Sequence, residues 1–352
     1  DSPRYDLRRV WLTREQIEGH YNGASNQGLW PLCRMTFNKP VFSAAHWDSY
    51  RDVNEAFAQA VLEESDGRPA VVLVQDYHFA LMPRLLKEAD PNLIVAHFWH
   101  IPWPNAEIFR SFPWGEELLE GMLGSDMIGF HLPQHCQNFS DCVSQKPGMN
   151  AAIYDSGIAH SGRFTKIHAF PISVDYTGHQ QEVQSLEVEQ ETERWKTRLG
   201  LDGKMLGIGI DRMDYTKGIP ERLRALDRFL ELNPVYRERL LFTQIAVPSR
   251  STVPSYQSLA REVRRLVAHI NLRWGTSRWR PVTLLEENFG TASMIALHRL
   301  ANFCVVSSLH DGMNLVAKEF VASRTDENGV LVLSRFAGAA DELNDAVLTN
   351  PF

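Results

Sequence analysis

Residues 205–232, MLGIGIDRMDYTKGIPERLRALDRFLEL, read as strand, loop and helix in immediate succession. The run 205–210 is apolar without alternation, as in a strand covered on both faces of a parallel sheet. In 221–232, Leu223, Leu226, Phe229 and Leu230 fall on one helical stripe, and Pro220 suits a helix's first turn. Apolar runs at 70–75, 93–99, 127–130 and 166–171 precede this unit, and runs at 240–247, 282–285, 303–307 and 330–334 follow it. A second stripe, Leu259, Val263, Leu266, Val267 and Ile270, marks a helix over 256–270. Strands alternating with helices predict an α/β protein with right-handed crossovers. The polar segment 173–203, with HQQEVQSLEVEQETERWKTR at its centre, predicts a boundary. The expectation is two doubly wound domains, 1–172 and 173–352, facing across a cleft, with ligands beyond the carboxyl ends of the strands.

Composition narrows the function. The 352 residues are 44% hydrophobic and 22% charged, enough for a sizeable core and unlike a disordered chain. No apolar run reaches the roughly 18 residues of a membrane helix, so a membrane protein is not expected. With 36 basic and 43 acidic residues, net charge −7, the chain lacks the footprint of a nucleic-acid binder. Cys33, Cys136, Cys142 and Cys304 form no CxxC pair and fit neither a zinc site nor a disulfide scaffold. Buried thiols in a reducing cytoplasm are the plain reading, and DSPRYDLRRV at the start carries no apolar signal-peptide core.

Four constellations at strand ends could carry chemistry. Asp76-Tyr77-His78 follows VVLVQ; the alternative is an ordinary turn capped by Asp76. His100 opens HIPWP, where two prolines stiffen the backbone and present the imidazole; His97 reads as a structural histidine. Arg212 and Lys217 flank a loop running into a helix start, which suits a diphosphate; the alternative pairs them with Asp211 and Asp214. In SSLHDGMNLVAKEF, Gly312 permits close backbone approach, the following N–H groups open a helix, and Glu319 could accept a ribose diol; a buried helix start gives the same local pattern.

Together these segments resemble the trehalose-6-phosphate synthase family, retaining glucosyltransferases of the GT-B fold. The matching stretches are HYNGASNQGLWPL, QDYHFALMPRLL, HIPWPNAEIFRSFPW, LEGMLGSDMIGFH, IDRMDYTKGIPERL, QIAVPSRSTVPSYQ, LHDGMNLVAKEF and GVLVLSRFAGAADELNDAVLTNPF, in family order from about residue 17 to the end. The resemblance implies transfer of glucose from a nucleotide sugar, usually UDP-glucose, to glucose 6-phosphate, giving α,α-trehalose 6-phosphate with retention. It implies no metal and no cofactor beyond the nucleotide sugar. By resemblance, Arg212 and Lys217 bind the diphosphate, and Leu315 and Val316 offer it main-chain contacts. Glu319 binds ribose, while Asp311, Gly312, Met313 and Asn314 hold the donor glucose, as does His100. Tyr21, Trp30, Asp76, Tyr77 and Arg250 match the acceptor site, with Tyr21, Trp30 and Arg250 toward its phosphate. The implied catalytic set is His100, Asp76, Arg212 and Lys217, acting by front-face attack.

The chain departs from the family pattern in places. Nothing before Tyr21 matches the family's first strand and Gly-rich loop, and members continue past the NPF end by several helices, so both ends are expected to be missing. His310 stands where Arg is common, and Trp99 and Trp103 replace smaller or other aromatic groups. The nearest alternative is a sister glucosylglycerol-phosphate synthase using ADP-glucose and glycerol 3-phosphate. A second is a non-catalytic relative binding sugar phosphate. The resemblance implies a cytoplasmic enzyme with small-molecule partners, and it leaves homo-oligomer formation open.

Overall fold

The computed structural model describes residues 5–34, 36, 38–250 and 252–352, so the first four residues of the amino-terminal reading lie outside it. The chain divides into two units, Asp1–Pro171 and Ile172–Phe352.

The first unit holds strands β1 (Val71–Gln75), β2 (Ile94–Phe98), β3 (Met127–Phe130), β4 (Ala151–Tyr154), β5 (Gly157–His160) and β6 (Arg163–Ala169). Their order is β1-β2-β3-β6-β5-β4. The β1, β2, β3 and β6 strands run parallel, while β4 and β5 add antiparallel hairpins at one edge. Those two short strands were not expected from the sequence: Ala151–Tyr154 is mostly exposed and has none of the dense branched-aliphatic character of its neighbours. Val74, Val95, Met82, Leu86, Leu93 and Ala58 form a core that seats the 22-residue helix Ala44–Ser65 on the sheet. Each fully buried aliphatic side chain of this kind contributes about 1.5–3 kcal/mol.

Ahead of that helix, Ile17–Leu29 forms a wide helix with i→i+5 bonding; the Trp30 N–H donates to the Ser25 carbonyl. Such turns are rare and often mark functional sites. Its small residues allow close packing: a Cβ on Gly23 would fall 2.4 Å from His46 Nδ1.

The second unit is a fully parallel sheet of β7 (Met205–Arg212), β8 (Leu240–Val247), β9 (Val282–Leu285), β10 (Phe303–Val306), β11 (Val330–Ser334) and β12 (Val347–Thr349). The order β12-β11-β10-β7-β8-β9 reverses direction between β7 and β10, the switch point where such sheets bind ligands. The charged segment 173–203 lies at the start of this unit and is itself helical. It forms helices Tyr176–Val183 and Leu186–Leu199, capped by Asp175 and Ser185, which bury Val183, Val188 and Trp195 in this unit. Their polar faces supplied the charge pattern. Phe229, expected on the buried stripe of its helix, is 37% exposed. It lies along an open apolar recess with Phe303, Val305 and Val330, and Ile219 is buried in the core instead. Cys33, Cys142 and Cys304 are buried free thiols. No helix among the described residues is long and apolar enough to cross a membrane.

His97 on β2 is 1% exposed, and its Nε2 lies 2.9 Å from the Asp76 carbonyl. Burial pushes its pKa from 6.5 down to about 4. The folded state therefore holds it neutral while the unfolded chain protonates it. Its stabilisation is complete above pH 6.5 and is lost as pH falls toward 4, by about 3 kcal/mol in all. Urea titrations at pH 7 and pH 4.5 should show a smaller acid loss in His97→Gln than in the parent chain. Equal losses would assign the acid sensitivity to other groups.

Candidate active site

In the first unit, β1 ends on Gln75, and the next residue turns sharply. Asp76 has φ 64°, an unfavourable backbone state for a non-glycine residue. The turn is pinned from β2: the Asp76 N–H donates to the Phe98 carbonyl at 2.7 Å, and His97 holds the Asp76 carbonyl. Asp76 Oδ1 accepts the His100 N–H at 3.1 Å, so the ends of β1 and β2 are joined through this carboxylate. The His100 ring lies 2.7 Å from Gln75 Oε1. Burial raises the Asp76 carboxyl above its ordinary value and lowers that of the His100 imidazole. Each opposes the other's shift by its charge.

Behind this pair, Tyr77 is 1% exposed and its hydroxyl donates to Asn26 Oδ1 at 2.9 Å. Asn26 in turn donates to the Tyr21 carbonyl. The Tyr21 ring stacks on His78 at 5.6 Å and stays half-exposed, whereas Trp30 is buried 5.8 Å from the Tyr77 ring. The wide helix thus brings Tyr21 and Trp30 to the β1 turn. Sequence reasoning passed over Arg34, which is buried with its guanidinium 4.2 Å over the Trp30 ring and whose charge acts on Asp76. Its spacing of four from Trp30 was the available signal. Trp99 and Trp103 are fully buried core groups, and Trp103 Nε1 donates to Cys142 Sγ.

In the second unit, the loops after β7 and β10 meet at the switch point. Lys217 Nζ lies 2.5 Å from Asp311 Oδ2. Lys217 therefore pairs with the other motif rather than with Asp211 or Asp214, the alternative open from sequence. Asp211 instead pairs with Arg222 at 2.6 Å, both side chains 2% exposed. Burial pushes the Asp211 carboxyl up while Arg222 and Lys217 pull it down. Arg222 also donates to Gln244 on β8 and to Ser307 after β10, at 2.9 and 3.0 Å. Ser307 Oγ donates to the Lys217 and Gly218 carbonyls at 3.2 and 2.8 Å. Arg212 ends β7 and is exposed.

Asp311 is nearly buried. Its carboxylate accepts from Ser308 Oγ, the Gly312 N–H and Asn314 Nδ2 at 3.3, 3.0 and 3.2 Å. The Met313 carbonyl is held by the Ala339 N–H. Asn314, at φ 87°, caps the helix Leu315–Ala322 by accepting the Ala317 N–H. Leu315 and Val316 occupy its first turn, where N–H groups have no intrahelical acceptor. Glu319 lies one turn further on. Burial raises its carboxyl, and His179 pulls the other way. Ser323 Oγ joins the Glu319 carbonyl at 2.7 Å to His179 Nε2 at 2.8 Å, so the helix Tyr176–Val183 braces this one. Arg250, at φ 47°, reaches Asp214 and Tyr256. No cluster of metal-ligating side chains occurs among the described residues.

Two α/β units, one with cations and a helix start converging at its switch point, have the architecture of GT-B glycosyltransferases. The family model for glycosyltransferase family 20 matches residues 1–352, and the chain belongs to that family. It is 38% identical over 355 residues to the alpha,alpha-trehalose-phosphate synthase [UDP-forming] of Pichia angusta, covering 99% of this chain and 74% of that protein. It is 39% identical to the trehalose-6-phosphate synthase of Mycobacterium avium (strain 104), covering 98% and 71%. Among solved structures, an E. coli protein bound with UDP-2-fluoro glucose superposes with TM-score 0.90 at 30% identity, over 97% of this chain and 75% of that one. The UDP-forming synthase of Burkholderia xenovorans in complex with glucose-6-phosphate gives TM-score 0.90 at 32% identity, with the same coverage.

Gly218 closes the Lys217 loop at φ 62°, and a Cβ there would fall 2.1 Å from the Ser307 carbonyl oxygen. Gly218→Ala should therefore cost about 1–3 kcal/mol from backbone strain and displacement of that contact. Thermal unfolding and UDP titration should show a lowered midpoint and weaker nucleotide binding; unchanged values for both would separate this turn from the site.

Proposed function

We propose that the chain transfers glucose from UDP-glucose to glucose 6-phosphate with retention, forming α,α-trehalose 6-phosphate and UDP. The observation that carries this reading is the Lys217–Asp311 contact, which joins the loop suited to a diphosphate to the loop suited to a sugar. The named activities of the family members above, and the UDP-sugar analogue and glucose 6-phosphate bound in their structures, support the choice of substrates.

In this reading Arg212, Lys217 and the N–H groups of Leu315 and Val316 hold the diphosphate. They stabilise the charge that grows as the bond from the anomeric carbon to the phosphate oxygen breaks. Fixed donors at a helix N-terminus serve this without reorganisation. Glu319 accepts the ribose hydroxyls. Asp311, with Gly312, Met313 and Asn314, holds the glucose hydroxyls, and His100 contacts the same sugar. Tyr21, Trp30, Asp76, Tyr77 and Arg250 serve the acceptor, Tyr77 through the hydrogen bond that orders Asn26. The acceptor hydroxyl oxygen forms its bond on the face the phosphate leaves, and its proton passes to the departing phosphate oxygen. The site makes no use of a metal in this scheme, and UDP-glucose enters as co-substrate.

Incubation with glucose 6-phosphate and, in turn, UDP-, GDP- and ADP-glucose should release nucleotide fastest from UDP-glucose. Glycerol 3-phosphate should be a poor acceptor; the reverse order would favour the sister synthase. Arg212→Ala and Lys217→Ala should each lower kcat/KM at least about tenfold, since each removes a charge-assisted bond of roughly 1.5–3 kcal/mol. Near-normal rates with both replaced would overturn the diphosphate assignment.

A further inference from the structure

Arg250 is a long side chain on a loop, yet its charge is 6% exposed and held in one place. Tyr256 Oη accepts from Arg250 Nη1 and donates to Asp214 Oδ2 at 3.1 Å. Arg250 Nη1 itself lies 3.4 Å from that carboxylate oxygen. The other oxygen, Oδ1, accepts from the Thr216 N–H and hydroxyl at 3.0 and 2.9 Å. Asp214 is fully buried, so its charge has a fixed position and a fixed set of donors. Tyr256 is 2% exposed at the start of the helix Pro254–Trp274, its ring tilted against Tyr215 at 5.3 Å. The backbone adds a second sign of constraint. Arg250 takes φ 47°, an uncommon state for a covered non-glycine residue, where the surrounding bonds must offset its cost.

We infer that Tyr256 and Asp214 are positioning residues that preset the Arg250 guanidinium for the phosphate of the acceptor sugar. This rests on the reading of Arg250 as an acceptor-phosphate ligand. A free arginine loses about 2 kcal/mol of rotamer freedom when it is fixed on a ligand; an arginine already fixed loses less, and the difference appears as affinity. The guanidinium has five N–H donors in a rigid fork. The bonds to Tyr256 and Asp214 run through Nη1 and set the plane of the fork. The anchor is also specific to phosphate recognition. It touches no residue assigned to the sugar hydroxyls, and its effect should vanish for an acceptor without phosphate.

The test is a double-mutant cycle on the full chain with Tyr256→Phe, Arg250→Ala and both together, reading KM for glucose 6-phosphate, KM for UDP-glucose, kcat and the thermal midpoint. Tyr256→Phe should raise the glucose 6-phosphate KM by about 3–10-fold, the worth of one buried hydrogen bond. It should leave kcat and the UDP-glucose KM within twofold. In the Arg250→Ala background it should add nothing, because it acts through that side chain. With glucose as a phosphate-free acceptor, kcat/KM should be the same for Tyr256→Phe and the parent. An unchanged acceptor KM in Tyr256→Phe, an equal effect in both backgrounds, or an equal loss with glucose would each overturn the inference. If Arg250→Ala raises the acceptor KM while Tyr256→Phe does not, the positioning role alone fails. If Arg250→Ala leaves that KM unchanged, the assignment of Arg250 fails as well.

Discussion

The second unit depends on one buried ion pair. Arg222 and Asp211 sit 2.6 Å apart with almost no solvent contact, at the centre of the parallel sheet. Removing two charges from water is costly, and the attraction between them offsets this only when the remaining donors are also satisfied. They are. Gln244 from β8 and Ser307 from the end of β10 accept from the same guanidinium. One side chain thereby ties β7, β8 and the end of β10 to the start of its own helix. Loss of either partner would leave an unpaired buried charge, costing about 3–5 kcal/mol. The pair also explains Gly209: a Cβ there would lie 2.1 Å from Arg222 Nη1 and 2.7 Å from Gln244 Oε1. The space that another residue would fill is taken by the ion pair.

From that pair the geometry of the Lys217 loop follows. Ser307 accepts from Arg222 and its hydroxyl donates to the Lys217 and Gly218 carbonyls, so the orientation of the cationic loop is set from below. Lys217 then meets Asp311 because β7 and β10 are adjacent, although 94 residues separate the two side chains in sequence. The helix Leu315–Ala322 is braced from the opposite side. Lys318, buried, donates to the Ile172 carbonyl at 2.7 Å and to Glu342 at 2.9 Å. In the proposed function such bracing serves a leaving diphosphate, since donors that need no rearrangement stabilise developing charge most effectively.

Much of this was legible in the chain. Dense aliphatic runs marked nine of the twelve strands, and motifs at strand ends marked the loops that now carry Asp76, His100, Lys217 and Asp311. What failed to show was pairing. Arg222 reads as one more polar residue on a helix, because its partners lie on β7, β8 and after β10, and strand order is not written locally. Asp214 likewise reads as a partner for a neighbouring cation, yet it bonds Tyr256, 42 residues away. The hairpin β4–β5 was missed because AAIY and GIAH carry only one Ile each and no dense aliphatic run. The helices over 176–199 were not read within the segment 173–203 because a helix with a narrow buried stripe is mostly charged. The wide turns of Ile17–Leu29 have no periodicity of their own, so Tyr21 and Trp30 were brought together with Tyr77 by resemblance rather than by pattern.

Backbone strain sorts the same residues by another route. Among the described residues, seven other than glycine have positive φ: Asp66, Asp76, Ser161, Glu238, Arg250, Asn314 and Glu327. Asp66, Ser161, Glu238 and Glu327 are exposed turn residues, where water satisfies the backbone and the strain serves only to reverse the chain. Asp76, Arg250 and Asn314 are covered, and each is held by a side-chain bond to another part of its unit: Asp76 to the His100 N–H, Arg250 to Asp214, Asn314 to Asp311. A covered residue keeps an unfavourable φ only if the surrounding bonds outweigh the cost of about 1–3 kcal/mol. In all three cases those bonds fix a polar group at the end of a strand or the start of a helix. The strain and the polar geometry have one cause, the bonds that hold a charged or amide group rigidly at the end of a strand or the start of a helix.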